Sequence, residues 1–358
     1  MVSAILEGKP DKNLILVTGR IHPKLAEDVA EQLGIDVLET TAYDFANGEM
    51  YVRYTESVRG ADVFVLQSHY KPINKAIMEQ LIMIDALKRA SARSITAVCP
   101  LLGYSRQDKK HRGREPISCR LVFDLLKTAG ADRIMSVDLH AAQSQGFFDG
   151  PVDHLVAMPV LVDYIRDRFQ GHLDNVAVVS PDAGRIRVAE QWAQRLGGGP
   201  LAFVHKTRDI TRPNQAVANR VVGDVAGKDC VLVDDLIDTA GTIAGACHVL
   251  QDAGAKSVTV VATHGVLSGP AIERLKNCGA REVVLTDTVP IPEEKRWDGL
   301  TVLSIAPLLA SAIRAVFEDG SVADCSTPTP STTVKASCSP DHVRVCSWKA
   351  HDARRDMA

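Results

Sequence analysis

A chain of 358 residues is long enough for about two compact domains, each able to bury its own core. With 41 basic against 44 acidic side chains its net charge is -3, which excludes the broad positive field of a nucleic-acid-binding protein. No apolar run approaches the ~18 residues of a membrane span, and Glu7 and Lys9 interrupt the apolar start Met1–Leu6, so we expect a cytoplasmic protein with small-molecule partners.

Apolar strand-like runs alternate with amphipathic helical stretches along most of the chain. The strand-like runs are Leu14–Val17, Ala61–Gln67, Ile95–Cys99, Ile134–Val137, Val176–Val179, Cys230–Val233, Val258–Ala262 and Val283–Thr286. Helical periodicity fits Asn74–Arg89 and Ala244–Ala253, which lie between neighbouring strands. This alternation predicts the α/β class, with two stacked domains that each contain a mainly parallel sheet flanked by helices.

Composition divides the chain into three parts. Gly150, Pro151 and Pro159 interrupt the alternation, so we predict an N-terminal domain over residues 1–155 and a C-terminal domain over residues 156–320. Beyond them the chain becomes rich in Ser, Thr and Pro and loses its periodicity. That change predicts a disordered tail over residues 321–358.

The cysteines indicate a reducing compartment. The chain has eight cysteines and no CxxC pair. Five of them lie within apolar runs: Cys99, Cys119, Cys230, Cys247 and Cys278. Buried reduced thiols fit this distribution better than a disulfide framework.

A short loop before the predicted strand Met50–Tyr54 contains Phe45, Asn47 and Glu49. The ring of Phe45 can stack on a nucleobase. A simple turn accounts equally well for Asn47 and for the glycine that follows it.

A basic cluster follows the strand-like run that ends at Cys99. Five Lys or Arg side chains occur within the nine residues from Arg106 to Arg114, beside Gln107, with no apolar residue to bury them. Clustered cations at a strand end neutralise polyphosphates in small-molecule kinases, although a solvated loop tolerates the same composition.

Two further strand ends carry single polar side chains. His140 follows Ile134–Val137, and Asp182 follows Val176–Val179 within a turn that leads into a helix. A lone histidine at a strand end is more often a hydrogen-bonded structural residue than a metal ligand. The Asp182 turn offers free amides to an anion.

Lys206 and Arg208 lie just past a predicted strand, Leu201–Val204. The polar stretch Asp209–Ala216 that follows has no periodicity and is typical of a mobile loop. Taken locally, the two side chains also fit exposed surface cations.

The strongest motif runs from Val231 to Thr242. An apolar strand leads to Asp234 and Asp235, and a loop of small residues then opens a helix, which places acids and free amides at the carboxyl edge of a parallel sheet. A phosphate can bind the amides of this loop, while the two acids can accept hydrogen bonds from the 2,3-diol of a ribose. The loop residues are Asp238, Thr239, Ala240, Gly241 and Thr242.

This motif resembles the phosphoribosyl-diphosphate loop of type I phosphoribosyltransferases and of ribose-phosphate pyrophosphokinases. The other motifs, from Phe45 to Arg208, occur in the order of the second family, and the likeness covers about residues 13 to 322. The resemblance implies a type I phosphoribosyltransferase-like fold and transfer of the β,γ-pyrophosphoryl group of ATP to the 1-hydroxyl of ribose 5-phosphate. Phosphoribosyl diphosphate, a precursor in nucleotide biosynthesis, and AMP are the implied products.

The resemblance also implies roles for residues and for subunits. By that likeness, ribose 5-phosphate is held by Asp234, Asp235 and Asp238–Thr242. ATP is held by Arg106, Gln107, Phe45, Asn47 and Glu49. Mg²⁺ is held by His140 and Asp182, and the transition state is stabilised by Lys206 and Arg208. In that family the Phe45 loop serves a neighbouring subunit, and the enzymes are hexamers built from dimers.

Two alternatives remain open at this point. A phosphoribosyltransferase would use the same loop with a nucleobase and without ATP, but it leaves the Arg106 region unexplained. A non-catalytic homologue would regulate a true synthetase, but it would not need Lys206, Arg208 and His140. The end of the chain departs from the family pattern, because Ser321–Cys325 leads into an unrelated segment near the family's allosteric phosphate site.

Overall fold

The computed structural model describes residues 12–208 and 216–323, without the side chains of residues 206–208 and 216–219. The described residues belong to one compact unit, within which we distinguish two lobes by their sheets. The predicted tail, 321–358, lies outside the described residues from position 324 onward. The predicted α/β class with mainly parallel sheets is confirmed.

The first lobe contains a parallel five-stranded sheet in the order β1-β4-β5-β6-β7 and a separate hairpin of β2 and β3. Its elements are β1 (Leu14–Thr18), α1 (Pro23–Leu33), β2 (Thr40–Asp44), β3 (Met50–Tyr54), β4 (Asp62–Leu66), α2 (Ile73–Arg89), β5 (Ser94–Cys99), α3 (Ser118–Ala129), β6 (Arg133–Val137) and β7 (Val152–Leu155). A short 3-10 helix, Ala142–Phe147, lies between β6 and β7.

The second lobe contains a seven-stranded sheet in the order β10-β9-β8-β11-β12-β13-β14, in which only the β9–β10 pair is antiparallel. Its elements are α4 (Met158–Arg168), β8 (Val176–Ser180), α5 (Ile186–Arg195), β9 (Leu201–Arg208), β10 (Ala216–Val222), β11 (Asp229–Ile237), α6 (Gly241–Asp252), β12 (Ser257–Gly265), α7 (Ala271–Asn277), β13 (Glu282–Thr286), β14 (Leu300–Leu303) and α8 (Ala306–Phe317). Two 3-10 turns, Ala183–Arg185 and Glu293–Lys295, complete it.

The central strands are buried on both faces, which explains their continuous apolar runs. In β8 every residue is buried, and the first five residues of β11 are buried as well. Helices on either side cover these strands, as parallel connections require. The predicted boundary at residues 155 and 156 falls between the last strand of the first sheet and helix α4.

One apolar core is common to both lobes. It contains Leu16 and Met135 from the first sheet, Val233 and Val261 from the second, and buried faces of α1, α4, α5 and α8. Separate cores cover the other face of each sheet. The two lobes are therefore packed through a shared helical layer.

Two further predictions are answered by the described residues. The five cysteines expected to be buried are buried and free. Within residues 12–208 and 216–323, the helices are too short or too polar to cross a bilayer.

Candidate active site

A cavity of about 830 Å³ lies between the lobes, at the carboxyl ends of strands from both sheets. Its wall includes Arg106, His140, Asp182, Arg185 and the segment Asp234–Thr242. This volume is typical of a small-molecule site, and the carboxyl edge of a parallel sheet is where such sites form.

A smaller cavity of about 240 Å³ lies at the opposite, amino ends of the first sheet's strands. Its acid Asp62 is already paired with Arg93, and Asp132 accepts a hydrogen bond from the Ile95 amide. We therefore place the candidate site in the larger cavity.

Strand β11 brings its two acids against a cation and an imidazole. Asp234 and Asp235 lie within β11, which runs on to Ile237, so they do not follow the end of the strand as the sequence suggested. Arg185 forms an ion pair with Asp235, and its Nε lies 3.9 Å from Asp234 Oδ1. His140 Nδ1 lies 2.7 Å from Asp235 Oδ2.

Burial and these neighbours shift the pKa values of the two acids in opposite directions. Burial, together with the charge of Asp235, raises the pKa of Asp234 to about 8. Burial also opposes ionisation of Asp235, but the His140 hydrogen bond and the Arg185 charge outweigh it and hold the pKa of Asp235 below its ordinary value. The pair therefore offers one carboxylate that only accepts hydrogen bonds and one carboxyl that can also donate, which suits a vicinal diol.

The small-residue loop after β11 opens helix α6 onto the cavity. Helix α6 begins at Gly241, preceded by Ala240 in a left-handed conformation with φ 59°. Arg274 Nη1 donates to the Thr239 carbonyl at 3.0 Å and supports the loop from α7. The predicted residues Asp238, Thr239, Ala240, Gly241 and Thr242 all line the cavity.

Of the two residues predicted for ATP in the basic loop, Arg106 lines the cavity. Its Nη2 lies 2.8 Å from Asp238 Oδ2, which joins the basic loop of the first lobe to the phosphate loop of the second. Gln107 is held by its backbone, whose amide donates to Tyr104 O at 2.8 Å, and its side chain does not contribute to the cavity wall.

The predicted Phe45 loop connects β2 to β3 and does not reach the cavity. The ring of Phe45 is 45% exposed and makes an edge contact with Tyr43. Asn47 Oδ1 accepts a hydrogen bond from the amide of Glu49 at 3.1 Å. None of these three described residues contributes to the cavity wall of its own chain.

The candidate metal ligands line the cavity but do not form a protein cage. Asp182 Oδ1 accepts a hydrogen bond from the Gly184 amide at 2.8 Å and begins the 3-10 turn before α5. Within the part of the chain that the structure describes, no three His, Cys, Asp or Glu side chains are arranged to hold a metal. The donor set fits Mg²⁺ only if water and phosphate oxygens supply the other ligands, as that ion usually requires.

Lys206 and Arg208 lie within strand β9, which extends to Arg208, so the expectation that they follow the strand is wrong. Pairing with β10, in which Arg208 lies opposite Ala216, prolongs the strand beyond its apolar part. Their side chains lie outside the described residues, as does most of the Asp209–Ala216 stretch expected to be mobile.

Arg185 was not predicted from the sequence, although its side chain is only 17% exposed and contacts both acids of β11. The available signal was its position directly after the Asp182-Ala183-Gly184 turn. That turn places the guanidinium over the neighbouring strand β11.

Family models match both parts of the chain. Residues 14–130 match the N-terminal domain of ribose phosphate pyrophosphokinase, and residues 200–325 match the phosphoribosyl synthetase-associated domain. These matches cover the basic loop and the acid-bearing strand of the cavity.

Individual proteins agree with the family models over nearly the whole chain. A ribose-phosphate pyrophosphokinase of Bifidobacterium longum (strain NCC 2705) is 99% identical over 324 residues, which cover 90% of this chain and 95% of that protein. Another, from Corynebacterium efficiens, is 66% identical over 311 residues, or 87% of this chain and 95% of that protein. The crystal structure of phosphoribosylpyrophosphate synthetase from Mycobacterium smegmatis matches with a TM-score of 0.82 and 64% identity, covering 86% of this chain and all (100%) of that one. The predicted family and fold are confirmed: the chain belongs to the ribose-phosphate pyrophosphokinase family.

Proposed function

We propose that this chain transfers the β,γ-pyrophosphoryl group of ATP to the 1-hydroxyl of ribose 5-phosphate, giving phosphoribosyl diphosphate and AMP. The observation that carries the proposal is the contact between Arg106 and Asp238 at 2.8 Å, which joins a basic loop to a phosphate loop in one cavity. A nucleotide held by the first and a pentose phosphate held by the second would have their reacting atoms in the same space.

The sugar is assigned to β11 and the loop that follows it. Its 5-phosphate binds the amides of Asp238–Thr242 at the start of α6, where the helix dipole favours an anion. Its 2- and 3-hydroxyls bind Asp234 and Asp235. The sugar displaces the Arg185 guanidinium from Asp235, which frees a cation inside the cavity.

The nucleotide is assigned to the first lobe. Arg106 contacts the phosphates, and Gln107, next to it in the chain, also contacts ATP. The loop with Phe45, Asn47 and Glu49 does not line the cavity of its own chain, which supports the role implied by the family, in which the loop serves the adenine of a neighbouring subunit. The proposed assembly is therefore a homo-oligomer, a hexamer by resemblance.

His140 and Asp182 are the residues that would hold Mg²⁺ together with triphosphate oxygens and water. The ion supplies charge neutralisation on the phosphates when it is bound. His140 Nδ1 is directed at Asp235, so the other ring nitrogen, Nε2, is the candidate ligand atom.

In the transfer step the sugar 1-hydroxyl attacks the β-phosphorus in line and the bond to the AMP oxygen breaks. Such transfers need positioning and charge compensation more than covalent help. We assign Lys206 and Arg208 to the charge that redistributes between the attacking and leaving oxygens. The role of general base is not assigned to any residue.

The proposed setting is the cytoplasm, which the buried free cysteines of the described residues support. Neither nucleic acid nor membrane is a proposed partner.

The proposal is tested by incubating the protein with Mg-ATP and ribose 5-phosphate and identifying the nucleotide released. AMP together with phosphoribosyl diphosphate is expected, and 2-deoxyribose 5-phosphate should react poorly because it lacks one hydroxyl for the acids of β11. Release of ADP would indicate an ordinary kinase, and no turnover would favour the regulatory homologue.

Lys206→Ala tests the assigned charge compensation. We expect kcat to fall about 100-fold or more with little change in KM, because the contact is assigned to the transition state. Lys88→Ala, at an exposed lysine near the end of α2, is the matched control and should leave kcat unchanged. An unchanged kcat in Lys206→Ala removes this residue from the mechanism.

A further inference from the structure

The segment from Asp138 to His140 is held at each of its residues. Asp138 Oδ2 accepts hydrogen bonds from Thr263 Oγ1 at 2.6 Å and from the Ala157 amide at 3.1 Å. The Leu139 amide donates to His154 Nε2 at 2.9 Å. These contacts lead directly to the imidazole of His140, which faces Asp235.

The backbone turns sharply at Asp138, where φ is 40°, in the left-handed region that most side chains avoid. Such a conformation is strained and persists only where the surroundings fix it. The turn ends strand β6 and directs the chain toward the cavity, whose wall includes Asp138 and His140.

A buried histidine of the second lobe fixes the same turn. His264 Nε2 lies 3.1 Å from Val137 O and 3.3 Å from Asp138 O, so it donates a proton to these carbonyls. Its Nδ1 lies 2.9 Å from Thr288 Oγ1 and accepts the hydroxyl proton. The ring is only 2% exposed, and burial lowers its pKa, so it stays neutral in this arrangement.

Strand pairing connects this contact to the acids of the site. In the β11–β12 register Asp234 lies opposite Ala262, and Leu236 lies opposite His264. Thr263 therefore lies between these pairs, beside Asp235. Strand β12, whose Thr263 donates to Asp138, is thus hydrogen-bonded directly to β11, the strand that carries the sugar-binding acids.

We infer that Asp138, Thr263 and His264 form a clamp between the lobes that sets the position of the His140 imidazole against Asp235. Thr263 and His264 are positioning residues, since they act through the turn at Asp138 and not on the reacting atoms. The inference rests on the proposed function, because it gives His140 a task in the site.

Thr263→Val removes the hydroxyl at nearly constant volume, and Thr263→Ser keeps it. We expect Thr263→Val to lower kcat about tenfold, the effect of one hydrogen bond to a charged group, with a smaller change in KM for ribose 5-phosphate, and Thr263→Ser to restore most of it. In a His140→Ala background the Val substitution should change kcat less than about twofold. Thr259→Val, at a buried threonine on the same face of β12, is the matched control and should leave kcat unchanged.

A crystal structure of ligand-free Thr263→Val provides a readout that does not depend on activity. The His140 Nδ1 to Asp235 Oδ2 separation, 2.7 Å in the unsubstituted chain, should lengthen beyond hydrogen-bond distance. Retention of that contact overturns the clamp, as does an equal loss of kcat with and without His140. If the unsubstituted protein released no AMP, the proposed function would fail while the structure of the variant still decided the clamp.

Discussion

His69 follows strand β4, and its buried ring lies between helix α2 and the loop that follows β5. Its Nε2 donates to Gln80 Oε1 at 2.8 Å, and its Nδ1 accepts a hydrogen bond from the Gly103 amide at 2.9 Å. A Cβ at Gly103 would lie only 3.0 Å from that of His69, so glycine allows the close approach. Because Arg106 follows three residues later, the start of the basic loop depends on a neutral imidazole at this position.

The pH dependence of stability should report this imidazole. Burial lowers the pKa of His69 from 6.5 to about 4. The unfolded chain takes up the proton below pH 6.5 and the folded chain only near pH 4, so this contribution is complete above pH 6.5 and is lost as the pH falls through that window. Between pH 7 and pH 5 the resulting loss in the free energy of unfolding amounts to about 2 kcal/mol.

His69→Gln should lower the free energy of unfolding at pH 7 but reduce its decline toward pH 5, as measured by urea titration at both values. His248→Gln, at an exposed histidine of α6, should retain the full decline. Equal slopes for the His69 variant and the unsubstituted protein would contradict this role.

Arg185 is the cation that the two acids of β11 share. Arg185→Ala should reduce the free energy of unfolding at pH 8 by about 3 kcal/mol, because it leaves the buried charge of Asp235 without its ion-pair partner and with only the His140 imidazole beside it. Chemical denaturation measures the change, with Arg195→Ala, at the exposed end of helix α5, as the control. An equal cost at both positions would show that the ion pair adds nothing.

At the scale of elements, the sequence predicted the central strands well because both of their faces are buried. Strand β7 was missed: it lies at the edge of its sheet, and only Leu155 among its four residues is fully buried. Strand β9 was predicted too short, because its last residues, Lys206 and Arg208, owe their extended form to pairing with β10. The apolar pattern of β9 does not show this pairing, because the residues that it prolongs are polar.

The start of α6 is also set by its surroundings. Ala240 is only 4% exposed and occupies the left-handed region, where a β-branched side chain is strained. Ala240→Val should therefore cost about 2 kcal/mol of stability and raise KM for ribose 5-phosphate several-fold, as calorimetry and initial rates would show.

Ala253→Val makes the same chemical change at the other end of α6, where φ is -80°, and should leave both quantities nearly unchanged. If the Ala240 variant behaved like this control, the loop geometry would not matter for the sugar phosphate.

At the scale of the whole molecule, the core shared by the two lobes should make unfolding a single event. Leu309 of α8 is fully buried in that core. Leu309→Ala should lower the free energy of unfolding by about 3 kcal/mol and leave one transition, with circular dichroism and tryptophan fluorescence coinciding. Leu121→Ala, at a side chain 57% exposed on α3, should have little effect, and two separate transitions would contradict a common core.

The sequence predicted the proximity of only those residues of the site that lie close together in the chain. The acids and small residues of Asp234–Thr242 form one continuous segment, so their proximity could be read directly. The contact of His140 with Asp235 and that of Arg106 with Asp238 join residues 95 and 132 positions apart, and only the packing of the two lobes creates them. Strand ends could be recognised one by one, but which of them meet depends on that packing.

The helical layer between the sheets also limits how the polypeptide can be divided. A fragment ending at β7 would expose Leu16 and Met135 to water, and the complementary fragment would expose Val233 and Val261. We therefore expect each half, produced alone, to be less stable than the intact chain, even though each sheet also has a core on its other face. The residues of the site come from both sheets, so the site depends on a core that both halves of the chain must supply.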